Sequence, residues 1–207
     1  MTTRIGVVAD SHCPEFMPQL PEAALAALRG VDMIVHAGDV NGASTLEELE
    51  KIAPVYAVRG DHDSALGLLP RSRELTVDGM NIVVVHGNRS RLIEEPQTLA
   101  WTLSLGYFHP HAGLPGALRR RFPRAKVIVF GHTHRPFIGT VGGTLLFNPG
   151  GLYQWNPETA RRRLTQGPGW FEWCWLQFAR HLRSYPRQSV GILEIEGARV
   201  QPSVIEL

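Results

Sequence analysis

Short Val- and Ile-rich runs recur along the chain, and five of them end on a carboxylate or an imidazole. They are IGVVAD closing on Asp10, MIVHAGD on Asp39, VYAVRGD on Asp61, NIVVVH on His86, and KVIVFGHTH on His132 and His134. Continuous apolar stretches of this length, bounded by glycine and polar residues, predict strands buried on both faces. Between the first three runs the period changes to that of helices. Leu20, Ala24, Leu25 and Leu28 keep helical spacing until Gly30 stops it. In GASTLEELEKIA, Ser44 followed by Glu47 has capping-box spacing, which predicts Ser44 as an N-cap. Strands at 4–9, 32–37 and 54–58 joined by these helices make a βαβαβ unit with parallel pairing and right-handed crossovers.

Beyond Asp63 the pattern turns to hairpins. Turn pairs at Asp78-Gly79 and Gly142-Gly143, and a turn at Gly197, each join two β runs. Residues 90–124 read as helix and loop broken by Pro110, Pro115 and Pro123, and a strand follows at 125–130. Two packed sheets flanked by helices account for this order. Residues 155–187 stand apart, with Trp155, Trp170, Trp173, Trp175 and the run Arg161, Arg162, Arg163. They read as an insertion with one helix near 170–184, in which Trp170, Trp173, Cys174, Gln177, Phe178, His181 and Leu182 share a side.

At 207 residues, 43% hydrophobic and 19% charged, residues 1–207 are expected to form a single domain with a substantial core. A formal charge of +2 gives little support to nucleic-acid binding. Cys13 and Cys174 lie far apart, without zinc-ribbon spacing, and are expected as reduced thiols in a cytoplasmic protein. The N-terminus enters a strand at once without the regions of a signal peptide. No stretch approaches the roughly 20 apolar residues of a membrane-spanning helix.

Ligands of α/β sheets bind outside the carboxyl ends of the strands. Delivering carboxylates and histidines to that one edge predicts a polynuclear metal site. Asp10 and His12 are two apart; an extended chain there would point both to one side. His132 and His134 repeat the spacing, His86 adds a nitrogen, and Asp39 could bridge two ions with its two oxygens. Such mixed ligands suit Mn²⁺, Fe or Zn²⁺ better than Ca²⁺ or a thiolate-bound metal. Two divalent ions about 3.5–4 Å apart generate hydroxide at neutral pH and clamp an in-line displacement at phosphorus.

The chain resembles the calcineurin-like metallophosphoesterases, specifically the small bacterial and archaeal phosphodiesterases. The motifs that carry this are Asp10-x-His12, Gly38-Asp39, Gly60-Asp61-His62-Asp63, His86-Gly87 and Gly131-His132-x-His134, in the family's order. The resemblance implies an α/β fold, a four-layer αββα sandwich of two mixed β-sheets flanked by helices. It implies one ion on Asp10, His12, Asp39 and His134, and another on Asp39, Asp61, His86 and His132. Mn²⁺ is the first expectation for both, with Fe, Zn²⁺ or Ni²⁺ as alternatives. His62 matches the histidine that protonates the leaving oxygen or steadies the phosphoryl group. The implied activity is phosphodiester hydrolysis by a metal-bridging hydroxide, acting on a small-molecule or nucleotide substrate. Arg59 and Asn88 are candidate substrate contacts, Asn88 standing where many relatives have another histidine.

Asp61 departs from the family's usual Asn ligand. It brings the carboxylates to about −3 against +4 from two ions, which weakens the Lewis acid and tightens the hold on the metals. Scaffold subunits of the retromer coat also carry Asp there but lack the counterpart of His62. A weakly active or inactive scaffold of the same fold is therefore the alternative.

Taken singly, each aspartate would read as a helix N-cap. Asp63 reads as a hydrogen-bonding residue, His36 as a satisfied buried histidine, and His109 and His111 as solvated loop residues. The aromatic insertion admits a packing cap or homodimer contact, a lid, or a membrane-surface helix over 170–184 with Arg180, Arg183 and Arg187 beside it.

Overall fold

The computed structural model describes residues 2–63, 66–104, 107, 113–181 and 185–207, apart from the side chains of Arg91, Thr102, Phe171 and Ala179. The first sheet contains β1 (Thr3–Val8), β2 (Met33–His36), β3 (Val55–Ala57), β9 (Ser189–Glu196) and β10 (Arg199–Glu206). Its order is β10-β9-β1-β2-β3. Within it β1, β2 and β3 are parallel, Ile5 lying opposite Met33 and Ile34 opposite Val55, while β9 and β10 run antiparallel. The second sheet contains β4 (Ser72–Val77), β5 (Met80–Val85), β6 (Val127–Val129), β7 (Pro136–Val141) and β8 (Thr144–Pro149), in the order β4-β5-β6-β8-β7. Its parallel core β5-β6-β8 is flanked by the antiparallel β4 and β7. The three hairpins turn where the glycine signals place them, with Val77 opposite Met80, Val141 opposite Thr144, and Glu196 opposite Arg199.

The helices are α1 (Glu22–Ala27), α2 (Ala43–Glu50), α3 (Arg91–Leu103), α4 (Leu114–Arg121), α5 (Pro157–Leu164) and α6 (Trp170–Ala179). Alternation along the strands sorts side chains into layers. Ile5, Val7, Val35, Ile82, Val84, Val129 and Phe147 meet between the two sheets. Val8 and Ile34 point the other way, onto Ala24 of α1, Leu28 just after it and Leu49 of α2. Val83, Ile128 and Phe130 pack on Leu114 and Leu118 of α4. The result is the expected αββα sandwich of two mixed sheets, and its inner strands are apolar on both faces because both faces are covered.

Local signals were overridden in three places. Helix α2 starts after Gly42, not at Ser44, and no side chain caps it. The loop after β1 pairs there, Cys13 bridging Asn41, and a Cβ on Gly42 would fall 2.9 Å from the Cys13 carbonyl oxygen. Tertiary pairing thus sets the start of that helix. Pro115 opens α4 and does not break it, because a first-turn proline forfeits no intrahelical bond. Residues 155–187 hold two helices, not one; α5 starts at a capping box in which the Asn156 side chain accepts from the Thr159 amide at 2.8 Å.

The described contacts divide the chain into two compact units. One joins residues 1–88, 113–153 and 187–207; the other joins 89–112 to 154–186. In the second unit α6 packs through Trp175 and the buried Leu176; the Trp175 ring lies 4.8 Å from Trp155 and 6.5 Å from Trp101. Trp170, Trp173 and Phe178, expected on the packed side, are exposed. The helix has large apolar residues on all sides, so periodicity could not select its inward face. Leu182 and Arg183 of that expected helix, together with His109, Pro110 and His111, lie outside the described residues. Among the described residues, no helix is long and apolar enough to cross a membrane.

Phe147 lies fully buried between the sheets. Phe147→Ala is expected to destabilise the protein by about 3–5 kcal/mol, read as a lowered urea midpoint.

Candidate metal centre

Strands β1, β2, β3, β5 and β6 all end at one edge, and Asp10, His12, Asp39, Asp61, His62, His86, His132 and His134 follow them directly. The chain there is not extended. Asp10 (φ 51°), His12 (46°), Asp39 (56°), His132 (70°) and His134 (53°) all adopt the left-handed conformation, which is uncommon away from glycine. The i, i+2 convergence of Asp10 and His12 therefore comes from two left-handed turns, not from a strand-like alternation. Cross-strand bonds hold the turns: the Asp10 amide donates to the Gly38 carbonyl at 3.0 Å and the His12 amide to the Asp39 carbonyl at 2.9 Å.

The donor atoms gather into groups within 4.8 Å: Asp10, His12 and His134; Asp61, His86 and His132; and Asp10, Asp39 and His86. Asp39 lies between the first two. Its Oδ2 is 3.4 Å from His12 Nε2 and 3.4 Å from His86 Nε2. Its Oδ1 accepts the His62 amide at 3.0 Å, so one oxygen, not two, faces both groups. Asp61 Oδ1 is 2.8 Å from His86 Nε2 and 3.6 Å from His132 Nδ1, and His134 Nε2 is 3.7 Å from Asp10 Oδ1.

Two imidazoles are pinned from behind. His86 Nδ1 meets the Ala37 carbonyl at 2.8 Å, and His134 Nδ1 meets the Tyr153 carbonyl at 2.8 Å. A carbonyl at Nδ1 fixes that nitrogen as the N–H and leaves Nε2 to face the centre, the arrangement of metal-ligating histidines. Two glycines permit the close approach. A Cβ on Gly60 would sit 2.0 Å from Asp39 Oδ1, and one on Gly38 (φ 92°) 2.7 Å from His86 Nδ1.

Burial sets the electrostatics. It pushes the Asp10 carboxyl up, against the pull of His134 and His86. It drives the His12 imidazole down to about 3, with His134 adding to the effect. Burial would raise Asp39 and Asp61 as well, but the neighbouring His86, joined by His132 at Asp61, holds both below the ordinary carboxylate range. His86, which burial alone would lower, is held well above its usual value by Asp39 and Asp61. The centre concentrates negative charge that only a cation or a proton can balance. The convergent oxygens, the inward nitrogens and this charge fit divalent metal ions.

Asp63 is no part of these groups. Fully buried, its carboxylate accepts the amides of Asp39 (2.9 Å), Asn41 (2.7 Å) and Gly60 (2.8 Å), tying the loop after β2 to the loop after β3. Asn148 does the same for the loop after β6, its amide donating to the Gly131 carbonyl at 2.8 Å and to Thr133 Oγ1 at 3.1 Å. Tyr153 and Phe16 were not anticipated; their rings lie 5.7 and 5.2 Å from the His12 ring. Neither follows a ligand motif, so nothing in the linear pattern marks them. His62 is exposed, its ring edge-on to His12 with centroids 5.0 Å apart. Arg59 is half-buried and Asn88 exposed, both at the same strand edge; among the described residues neither side chain makes a hydrogen bond or ion pair.

Fold and site together define a metal-dependent hydrolase of phosphoesters. Residues 3–164 match the model of the calcineurin-like phosphoesterase superfamily domain, and the chain belongs to that family. It is 35% identical over 147 residues to a probable metallophosphoesterase of Methanothermobacter thermautotrophicus, covering 70% of this chain and 75% of that protein. Vacuolar protein sorting 29 from Cryptosporidium parvum superposes with a TM-score of 0.64 at 20% identity, covering 100% of this chain and 98% of that one. An archaeal phosphodiesterase does so with a TM-score of 0.57 at 18% identity, covering 98% and 100%. At these identities the two structures show likeness of fold alone.

His36 is fully buried, with Nε2 2.9 Å from Ser11 Oγ, and burial lowers its imidazole to about 4. The unfolded chain takes up a proton there below about pH 6.5 that the folded chain refuses. His36 therefore makes the native state lose stability as pH falls from about 6.5 toward 4, and a phenylalanine would not. In chelator, the melting-temperature difference between wild type and His36→Phe is expected to narrow from pH 7.5 to pH 5; a constant difference would show that His36 does not titrate on unfolding.

Proposed function

We propose that the chain is a dinuclear metal-dependent phosphodiesterase acting on a small-molecule or nucleotide phosphodiester in the cytoplasm. The observation that carries this reading is Asp39 Oδ2, equidistant at 3.4 Å from the His12 and His86 nitrogens. It makes two three-residue donor groups into one site that shares a carboxylate. Asp10, His12 and His134 would hold one cation and Asp61, His86 and His132 the other, with Asp39 available to both. When bound, two divalent cations, with Mn²⁺ our first assignment, supply Lewis acidity toward the phosphate oxygens and a water acidic enough to ionise near neutral pH.

The chain's own side chains do the rest. His86 and His134 keep their nitrogens aimed inward through the carbonyls of Ala37 and Tyr153. His62 donates the proton to the departing alkoxide: its amide is fixed on Asp39 Oδ1, while its ring stays open to solvent where a substrate would enter. Arg59 and Asn88, at the same edge, contact the phosphate. The free thiols Cys13 and Cys174 fit a reducing compartment.

A second reading, a weakly active or inactive scaffold of the same fold, draws on Asp61 in place of the usual ligand. Chelator-sensitive hydrolysis of a chromogenic phosphodiester in Mn²⁺ separates the two, and a protein inert under those conditions is the scaffold. Asp10→Ala and His134→Ala are each expected to abolish turnover with the fold retained; full activity in either would overturn the mechanism. His62→Ala should lower kcat by about 10²–10⁴-fold, and a loss below about threefold would remove His62 from proton transfer. Asp61→Asn is expected to raise turnover while loosening the metals, measured as kcat beside metal content after dialysis.

A further inference from the structure

We propose that the unit formed by residues 89–112 and 154–186 docks on the surface of an anionic phospholipid bilayer, independently of the hydrolytic centre. The unit holds all five tryptophans, Trp101, Trp155, Trp170, Trp173 and Trp175. It also holds seven arginines, no lysine and four glutamates. Seven against four gives it a net +3, so of the chain's +2 the other unit carries −1 (+2 less +3). The small overall charge hides this separation, and so does the sequence order, because the unit is assembled from two stretches.

Two helices of the unit keep apolar faces in water. On α3, Leu92 (88% exposed), Leu99 (58%) and Leu103 (62%) recur at i, i+7 and i+11, one helical face. On α6, Trp170 is 80% exposed, and Trp173 and Phe178 are exposed beside it, opposite the inward-packed Trp175 and Leu176. Between the helices lies an open groove of about 680 Å³ lined by Leu92, Leu99, Leu103, Trp175 and Phe178. An exposed apolar surface of this kind marks an interaction site. Leucine and phenylalanine facing outward, tryptophan suited to the headgroup boundary, and a net positive charge on the unit are the composition of an interfacial binder.

Charge complementarity selects the lipid. Arg180 directly follows α6 and Arg161 lies on α5, both exposed. Arg163, by contrast, is taken up by Glu172 at 2.6 Å, and Arg187 pairs with Glu206 at 3.2 Å and belongs to the other unit. Arginines near an anionic leaflet add attraction that a neutral one does not. Glu95 also lines the groove, which restricts docking to a shallow contact at headgroup depth. A single-stranded nucleic acid would use the arginines and tryptophans but leave the leucine face in water.

The test is flotation of the full-length protein with vesicles of phosphatidylcholine containing roughly one-third phosphatidylglycerol, against phosphatidylcholine alone. Tryptophan emission is recorded in parallel, and because all five tryptophans lie in this unit it reports on this unit alone. Wild type should float with the anionic vesicles with a blue-shifted emission, and should bind neutral ones at least fivefold less. Leu99→Glu and Trp170→Glu, exposed positions whose folding is checked by circular dichroism, should each reduce the bound fraction about tenfold. Absence of vesicle binding by wild type, or undiminished binding by both variants, overturns the proposal. So does vesicle-inert protein that instead binds single-stranded DNA, or that forms a dimer dispersed by the same substitutions.

Discussion

Five of the seven residues whose side chains converge on the centre carry a left-handed backbone: Asp10, His12, Asp39, His132 and His134. For a residue with a Cβ this conformation costs about 1–2 kcal/mol, somewhat less for aspartate. The rest of the site depends on it, because a strand that simply continued would carry the side chains past one another. The surrounding structure over-determines these turns. The amide of His132 donates to both oxygens of Asp10, at 3.0 and 3.1 Å, and the Asp63 carboxylate gathers the amides of Asp39, Asn41 and Gly60. Strain at the strand ends is thereby offset by hydrogen bonds made in a buried setting, where leaving an amide unpaired would cost more than the turn itself.

Burial explains why the constellation is chemical and not merely structural. Three carboxylates and four imidazoles share an edge at which Asp10, His12, Asp39 and His86 are nearly inaccessible to water. Their protonation is governed by one another more than by solvent: Asp39 and Asp61 push the His86 imidazole up against its burial, and burial drives the His12 imidazole down. Asp61 and His62 lie on the solvent side of this cluster. The division suits a metal-dependent hydrolase, with most of the converging side chains fixed deep and His62 at the solvent edge. The carbonyls behind His86 and His134 add the orientation that loose side chains would lack.

The second unit obeys a different logic. Its inner contacts are aromatic, Trp175 against Trp155 and Trp101, and its outer helix faces remain apolar. Among the described residues, none of this unit supplies a ligand to the metal groups. The metal-ligating groups and the exposed apolar helix faces thus belong to different parts of one chain.

The sequence by itself placed the strands of the described residues, their hairpin turns and the aspartates and histidines that follow the strand ends, because each is written in adjacent positions. Two-faced apolar runs require covered sheets, Asp78-Gly79 and Gly142-Gly143 permit tight turns, and a ligand must follow a strand end to reach the common edge. The same was not true of helix ends and faces. Ser44 has the chemistry of a cap, yet the start of α2 was decided by Cys13 crossing to Asn41. Helix α6 has large apolar residues on every side, so only its partners fixed which side is buried. Tertiary structure alone also decided that Asp39 faces both groups through one oxygen, that Phe16 and Tyr153 line His12, and that 89–112 joins 154–186. Each of these depends on distances between residues remote in the chain, and such distances are set by packing, which local spacing does not encode.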